Sequence, residues 1–176
     1  AESQNAEPIK VGFLDVRKVI QDYKKRETIE QELKARAESI EKQVKDARAK
    51  VEAKNDKLVS LNPDSDEAVQ MDREIQLDMV RLKFEGEWQA RRLERERNTR
   101  FAQLYSEVCY EVRLQAERGG FASVLVNDPL PTGWEKSSDF VAVLRGRTVL
   151  YTDPRLDITQ TVTDALNDKL PKAPPK

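Results

Sequence analysis

From Leu33 to Leu61 the chain reads LKARAESIEKQVKDARAKVEAKNDKLVSL. Leu33, Ala37, Ile40, Val44, Ala47, Val51, Lys54, Leu58 and Leu61 recur at spacings of 4, 3, 4, 3, 4, 3, 4 and 3, a heptad seam with one polar occupant, Lys54. The positions between them are almost all Glu, Lys, Arg, Asp, Gln, Ser or Ala. A seam with solvated flanks is a coiled-coil strand rather than the core helix of a globule. Neither Gly nor Pro occurs between Leu14 and Leu61, so the pattern predicts one long helix over Val16–Leu61, with Asp15 as its cap.

Beyond Leu61 the chain reads Asn62-Pro63-Asp64-Ser65-Asp66, where Pro63 disfavours helical geometry at Asn62. Asp64 or Ser65 can cap a second helix, and Glu67 completes a pattern like a capping box with Asp64. A turn this short makes two long helices antiparallel neighbours, a hairpin with its tip at 62–66. The second helix is expected over Ser65–Arg118, interrupted by no breaker except Gly86. Ile75, Met79, Leu82, Gly86 and Leu93 form one stripe, resumed by Phe101, Leu104, Val108 and Val112. Leu77, Val80, Phe84 and Trp88 form another, at spacings of 3, 4 and 4. Either this half packs against two neighbours, or one apolar face is left for a ligand chain. The run Arg91, Arg92, Arg95, Arg97 and Arg100 is interleaved with Glu94 and Glu96, which reads as an ion-paired solvated face rather than a nucleic-acid site.

After Gly119-Gly120 the period changes from 3.6 to 2. Strands are expected at Ile9–Asp15, Phe121–Val126, Phe140–Leu144 and Thr148–Tyr151, and a short helix over 157–170 with Asp157 as cap and Gln160 three residues on. The fold class is α+β, mainly α: a helical hairpin over 16–118 inserted in a small β-body of 9–15 and 119–156, with a C-terminal helix, a leader at 1–8 and a tail at 171–176. A core this small calls for completion by other copies of the chain. The strand residues expected to build that shared body are Val11, Phe13, Val124, Val126, Val141, Val143, Val149 and Tyr151.

Composition agrees with extended solvated helices. Among 176 residues, 31 Lys+Arg stand against 32 Asp+Glu, a formal charge of −1 with 36% charged residues, and mean hydropathy is −0.74. Balanced charge speaks against binding nucleic acid through a bulk positive field. There is no His, which removes the commonest general base and metal ligand. The single Cys109 excludes an intrachain disulfide framework and reads as a small buried apolar side chain. With no Gly-rich phosphate loop, nucleophile elbow or metal-ligand cluster, neither an enzyme nor a cofactor is expected. No stretch approaches the roughly 20 apolar residues that span a bilayer. The polar start at Ala1 fits a cleaved secretory precursor and a trimmed cytosolic chain equally.

Two short segments carry a family resemblance. Val11-Gly12-Phe13-Leu14-Asp15-Val16-Arg17-Lys18-Val19-Ile20 resembles the opening of the Skp (OmpH-like) periplasmic chaperones, and Thr148-Val149-Leu150-Tyr151-Thr152-Asp153 with Asp157-Ile158-Thr159 is similar to their ending. The resemblance implies a homotrimer whose strands form one body and whose hairpins surround a cavity. That cavity would hold unfolded outer-membrane or secreted proteins, without ATP, in the periplasm after removal of a signal peptide not present in this sequence. It allows peripheral membrane contact but no transmembrane segment. The candidate client-binding residues are Leu77, Val80, Phe84 and Trp88. The segment 129–145 is an insertion relative to the family ending, and the pI near 5.8 departs from its strongly basic members. The competing readings are a structural coiled-coil adaptor, in which every stripe serves assembly, and a prefoldin-like cytosolic chaperone.

Overall fold

The apolar alternation at the start of the chain forms β1 (Val11–Leu14), which pairs in parallel with β2 (Ser123–Val126). The computed structural model describes residues 9–127, 129, 145 and 148–171. The register sets Val11 opposite Ser123, Gly12 opposite Val124, Phe13 opposite Leu125 and Leu14 opposite Val126. Backbone bonds from Ala122 N–H to the Lys10 carbonyl and from Asn127 N–H to the Leu14 carbonyl, both 2.8 Å, extend the ladder. On its other side β1 meets the segment before the last helix: Ile158 N–H donates to the Phe13 carbonyl at 2.9 Å. A parallel pair needs a long crossover, and here the crossover is the two long helices.

Asp15 caps α1 (Val16–Asp22) by accepting the Lys18 N–H at 2.9 Å. The expected single first helix is broken at Tyr23, whose backbone is extended (ψ 108°), and α2 (Lys24–Val59) resumes directly. No Gly or Pro causes the break. Long-range bonds hold it: the Asn167 side-chain carbonyl accepts the Lys24 N–H at 2.9 Å, and its amide donates to the Asp22 carbonyl at 3.1 Å. These satisfy two of the backbone groups that an interrupted helix orphans.

Asn62 and Ser65 shape the turn into α3 (Asp66–Gly119). The Asn62 side chain accepts the Asp64 N–H at 3.2 Å, and the Ser65 hydroxyl donates to the Asn62 carbonyl at 2.7 Å while accepting the Ala68 N–H at 3.2 Å. Ser65 is therefore the cap and Ala68 occupies the third helical position, so Glu67 completes no capping box. At the other end Gly120 takes φ +65°, the left-handed geometry that terminates helices. Gly119 is required for a second reason. A Cβ there would lie 2.5 Å from the Phe121 ring, which is covered by the Lys10 ammonium at 4.1 Å.

A 3-10 turn (Pro154–Leu156) leads to α4 (Thr159–Asp168). Asp157 accepts the Thr159 N–H at 2.8 Å, but Gln160 turns forward to Asp164, so the second expected capping box is also absent. Thr148–Tyr151 is not a strand among the described residues. The strand expected beside it, Phe140–Leu144 with Val141 and Val143, lies outside the described residues, as does the 129–145 insertion apart from Pro129 and Arg145.

The chain divides into two compact units, 1–28 with 102–176 and 29–101. The first has a small core in which α1 packs on α4: Leu14, Val19, Tyr23, Leu104, Val108, Ile158, Val162 and Leu166 are buried. The second is the antiparallel helix pair, in which only Ile29, Ala68 and Ile75 reach full burial.

Candidate binding surface

In the helix-pair unit the α2 seam lies where the heptad count places it. Leu33, Ala37, Ile40, Val44, Ala47, Val51, Lys54, Leu58 and Leu61 are all half-buried while the residues between them, except Arg36, are exposed. On α3 the inward positions are Ala68, Met71, Ile75, Asp78, Leu82, Gly86, Gln89, Leu93 and Glu96. The expected Met79 is not among them: it is more than half exposed, and Asp78 takes its place. The cause is electrostatic. The Lys54 ammonium donates to Asp78 at 2.7 Å and to Glu74 at 3.3 Å. Those bonds raise Lys54 and, for Asp78, the bond to Lys54 lowers the carboxyl below its usual range. Toward residue 101, further pairs cross between the helices, Arg36 to Glu96 at 2.8 Å and Arg100 to Glu32 at 3.6 Å. Of the basic-run residues, Arg100 and the interleaved Glu96 are thus explained by interhelical pairing.

Leu77, Val80, Phe84 and Trp88 are 68%, 68%, 63% and 41% exposed. At 3.6 residues per turn they fall within a sector of about 80°, centred about 150° from the seam. Trp88 carries the Arg92 guanidinium 5.3 Å from its ring centre. Exposed apolar side chains are ordinary singly, but four in a row on a charged helix form a contiguous patch that either covers something or is covered. The tip side of the same unit adds exposed Val59 and Val69.

In the other unit, the strand residues divide. Val11, Phe13 and Val124 are half-buried and Val149 is buried, but Val126 is more than half exposed and Tyr151 is 81% exposed. Leu125 and Leu150 add to the exposed apolar surface. Sequence reasoning missed a polar cluster here. The Glu111 side chain is 1% exposed and accepts from Lys169 and, at 2.7 Å, from Gln115. Burial pushes this carboxyl up, but the Lys169 ammonium and the Gln115 amide outweigh it and hold the group below its ordinary value. The Tyr23 hydroxyl donates to Glu107 at 2.9 Å, and Lys25 pairs with the same carboxylate. Burial first, then the Glu107 bond and charge, raise the Tyr23 phenol far above its usual value. These groups border a cavity of about 1080 Å³. Cys109 is exposed rather than buried, because the inward positions of this turn belong to Val108 and Glu111.

Among the described residues, no helix is long and apolar enough to cross a membrane, and no cluster of His, Cys, Asp and Glu could hold a metal ion. The profile of the OmpH-like outer membrane protein family matches residues 10–166. No curated protein matches the sequence significantly. A solved structure from Caulobacter crescentus CB15, carrying the name of an outer membrane chaperone (OmpH-like), superposes with a TM-score of 0.73 over 97% of this chain and 90% of that one. At 13% identity the likeness shows the fold alone.

Proposed function

The chain belongs to the OmpH-like family, and from that premise we propose that it is an ATP-independent holdase that shields unfolded outer-membrane or secreted proteins in the periplasm. One observation carries this reading furthest: Leu77, Val80, Phe84 and Trp88 stand exposed on the face of α3 turned away from its own partner helix. They cannot be explained as the seam of this hairpin, since that seam is already filled by Ile75, Leu82 and their neighbours. A row of solvent-facing apolar side chains spaced among charges suits many weak, sequence-tolerant contacts with an unfolded chain, and the charged flanks keep the surface soluble between clients.

The active species we propose is a homotrimer. The supporting feature is the sheet, two-stranded among the described residues, whose β2 strand leaves Leu125 and Val126 substantially exposed. Strands from neighbouring copies would cover that surface. The test combines mass and activity. Light scattering should give about 60 kDa, three times the 20.2 kDa chain, and the protein should suppress aggregation of a denatured β-barrel membrane protein without nucleotide. A 20.2 kDa species at micromolar concentration, or a trimer that leaves aggregation unchanged, would refute it. The second of these outcomes would favour a structural adaptor that uses all its stripes for assembly.

A further inference from the structure

Gly86 occupies a seam position in the middle of α3, where glycine costs about 1 kcal/mol relative to alanine. The fold does not demand it. Among the described residues positive φ is confined to Gly120, and a Cβ added at Gly86 would meet nothing within 4 Å. The glycine therefore serves neither a left-handed backbone nor a close helix approach. What it leaves is space: a groove of about 510 Å³ between the two helices, walled by Val44, Val51, Leu82 and Met79. That size lies within the range of about 300–1,000 Å³ typical of ligand sites. Arg48, Glu52, Asn55 and Lys83 line the same groove, and neither cation has an ion pair among the described residues.

We propose that this groove is a subsite for one aromatic side chain of an unfolded polypeptide. The proposal rests on the holdase reading and adds a residue preference to it. Aliphatic walls alone would accept any apolar side chain. Met79, more than half exposed at the groove, supplies a polarisable sulfur that favours ring contact, and the two unpaired cations favour a ring face over an aliphatic chain. The groove lies on the seam side of α3, apart from the outward stripe of Leu77, Val80, Phe84 and Trp88, so the two surfaces can be altered separately.

The probe is a fluorescein-labelled peptide Ser-Gly-Asp-Trp-Gly-Ser and its counterpart with Leu in place of Trp, titrated by anisotropy against the full chain. Wild type should bind the Trp peptide about fivefold more tightly than the Leu peptide. Gly86→Leu, which projects a branched side chain into the groove, should abolish that preference while leaving the melting temperature unchanged or higher. Equal affinity of wild type for the two peptides overturns the proposal, as does a Trp preference that survives Gly86→Leu. Should Gly86→Leu fail to fold, Gly86→Ala makes the same test, with a preference reduced about twofold expected and an undiminished one overturning the proposal. A change of oligomeric mass in either variant would assign the groove to a second copy of the chain, which also overturns it. If wild type suppresses aggregation but does not discriminate the peptides, the groove fails and the holdase reading stands; the reverse result separates them the other way.

Discussion

The Lys54 ammonium reaches Asp78 at 2.7 Å from within the apolar seam of the helix pair. A polar pair inside a hydrophobic repeat adds little to stability, because both groups are partly withdrawn from water to make it. Its effect is on alignment. Sliding α2 against α3 by one heptad would set Asp78 against Ala47 or Leu61 and, in one of the two directions, Lys54 against Met71, so the pair penalises a shifted register.

Replacing Lys54 by Met and Asp78 by Leu together should leave the melting temperature equal or higher and lose the unique alignment. An amide NMR spectrum should then show doubled resonances for residues 44–86. A single set, as for the wild type, would show that register is fixed elsewhere, for example by Arg36 and Glu96.

Breaking the buried pair at Glu111 should behave differently. Lys169→Ala leaves a carboxylate that is 1% exposed with Gln115 as its remaining hydrogen-bond partner and the charge of Arg118 nearby. The expected cost is about 2 kcal/mol, less than for a fully enclosed pair because Lys169 is half exposed. Adding Glu111→Gln should recover most of it by removing the charge. Denaturant titration checks both. Recovery absent in the double variant would mean that Lys169 acts through packing of its stem.

The same carboxyl fixes an acid limit. Its folded value is depressed, so the unfolded state binds the proton more readily. The stability it lends is complete above the unfolded value of about 4.3 and is lost as pH falls through the lower folded value. Wild type should therefore lose stability from pH 5 downward more steeply than Glu111→Gln. Parallel curves would contradict the assignment.

The Phe121 ring sets a steric condition. Gly119→Ala would bring a Cβ to 2.5 Å of it, and the ring is held beneath Lys10. A loss of about 1–3 kcal/mol is expected, relieved when Phe121→Leu is combined with it. A neutral Gly119→Ala would show that the ring moves freely.

Much of this architecture could be read from the sequence because it is local. The nine α2 seam positions, the Asn62–Ser65 turn and the Gly119–Gly120 stop each rest on residues within a few positions of one another. The features that escaped are set by distant partners. The break at Tyr23 is held by Asn167, more than 140 residues away. Asp78 displaced Met79 from the seam because a charge count along one helix cannot see the lysine that faces it. Glu111 looks like any other helical glutamate along the sequence; its partner Lys169 lies 58 residues away. For the surface stripe, spacing gave the residues, but only packing could show which of the two α3 stripes the partner helix uses.

The most direct test is to replace Phe84 and Trp88 by Ser and measure two quantities on one preparation. Aggregation of a denatured β-barrel membrane protein should be suppressed less than by wild type. The melting temperature should change little, since exposed substitutions usually shift stability by less than about 0.5 kcal/mol. The contrary result is a marked fall in melting temperature, as a core truncation costing about 3 kcal/mol each would give, with aggregation suppressed as well as by wild type. That outcome would place Phe84 and Trp88 in assembly and contradict a client-binding stripe.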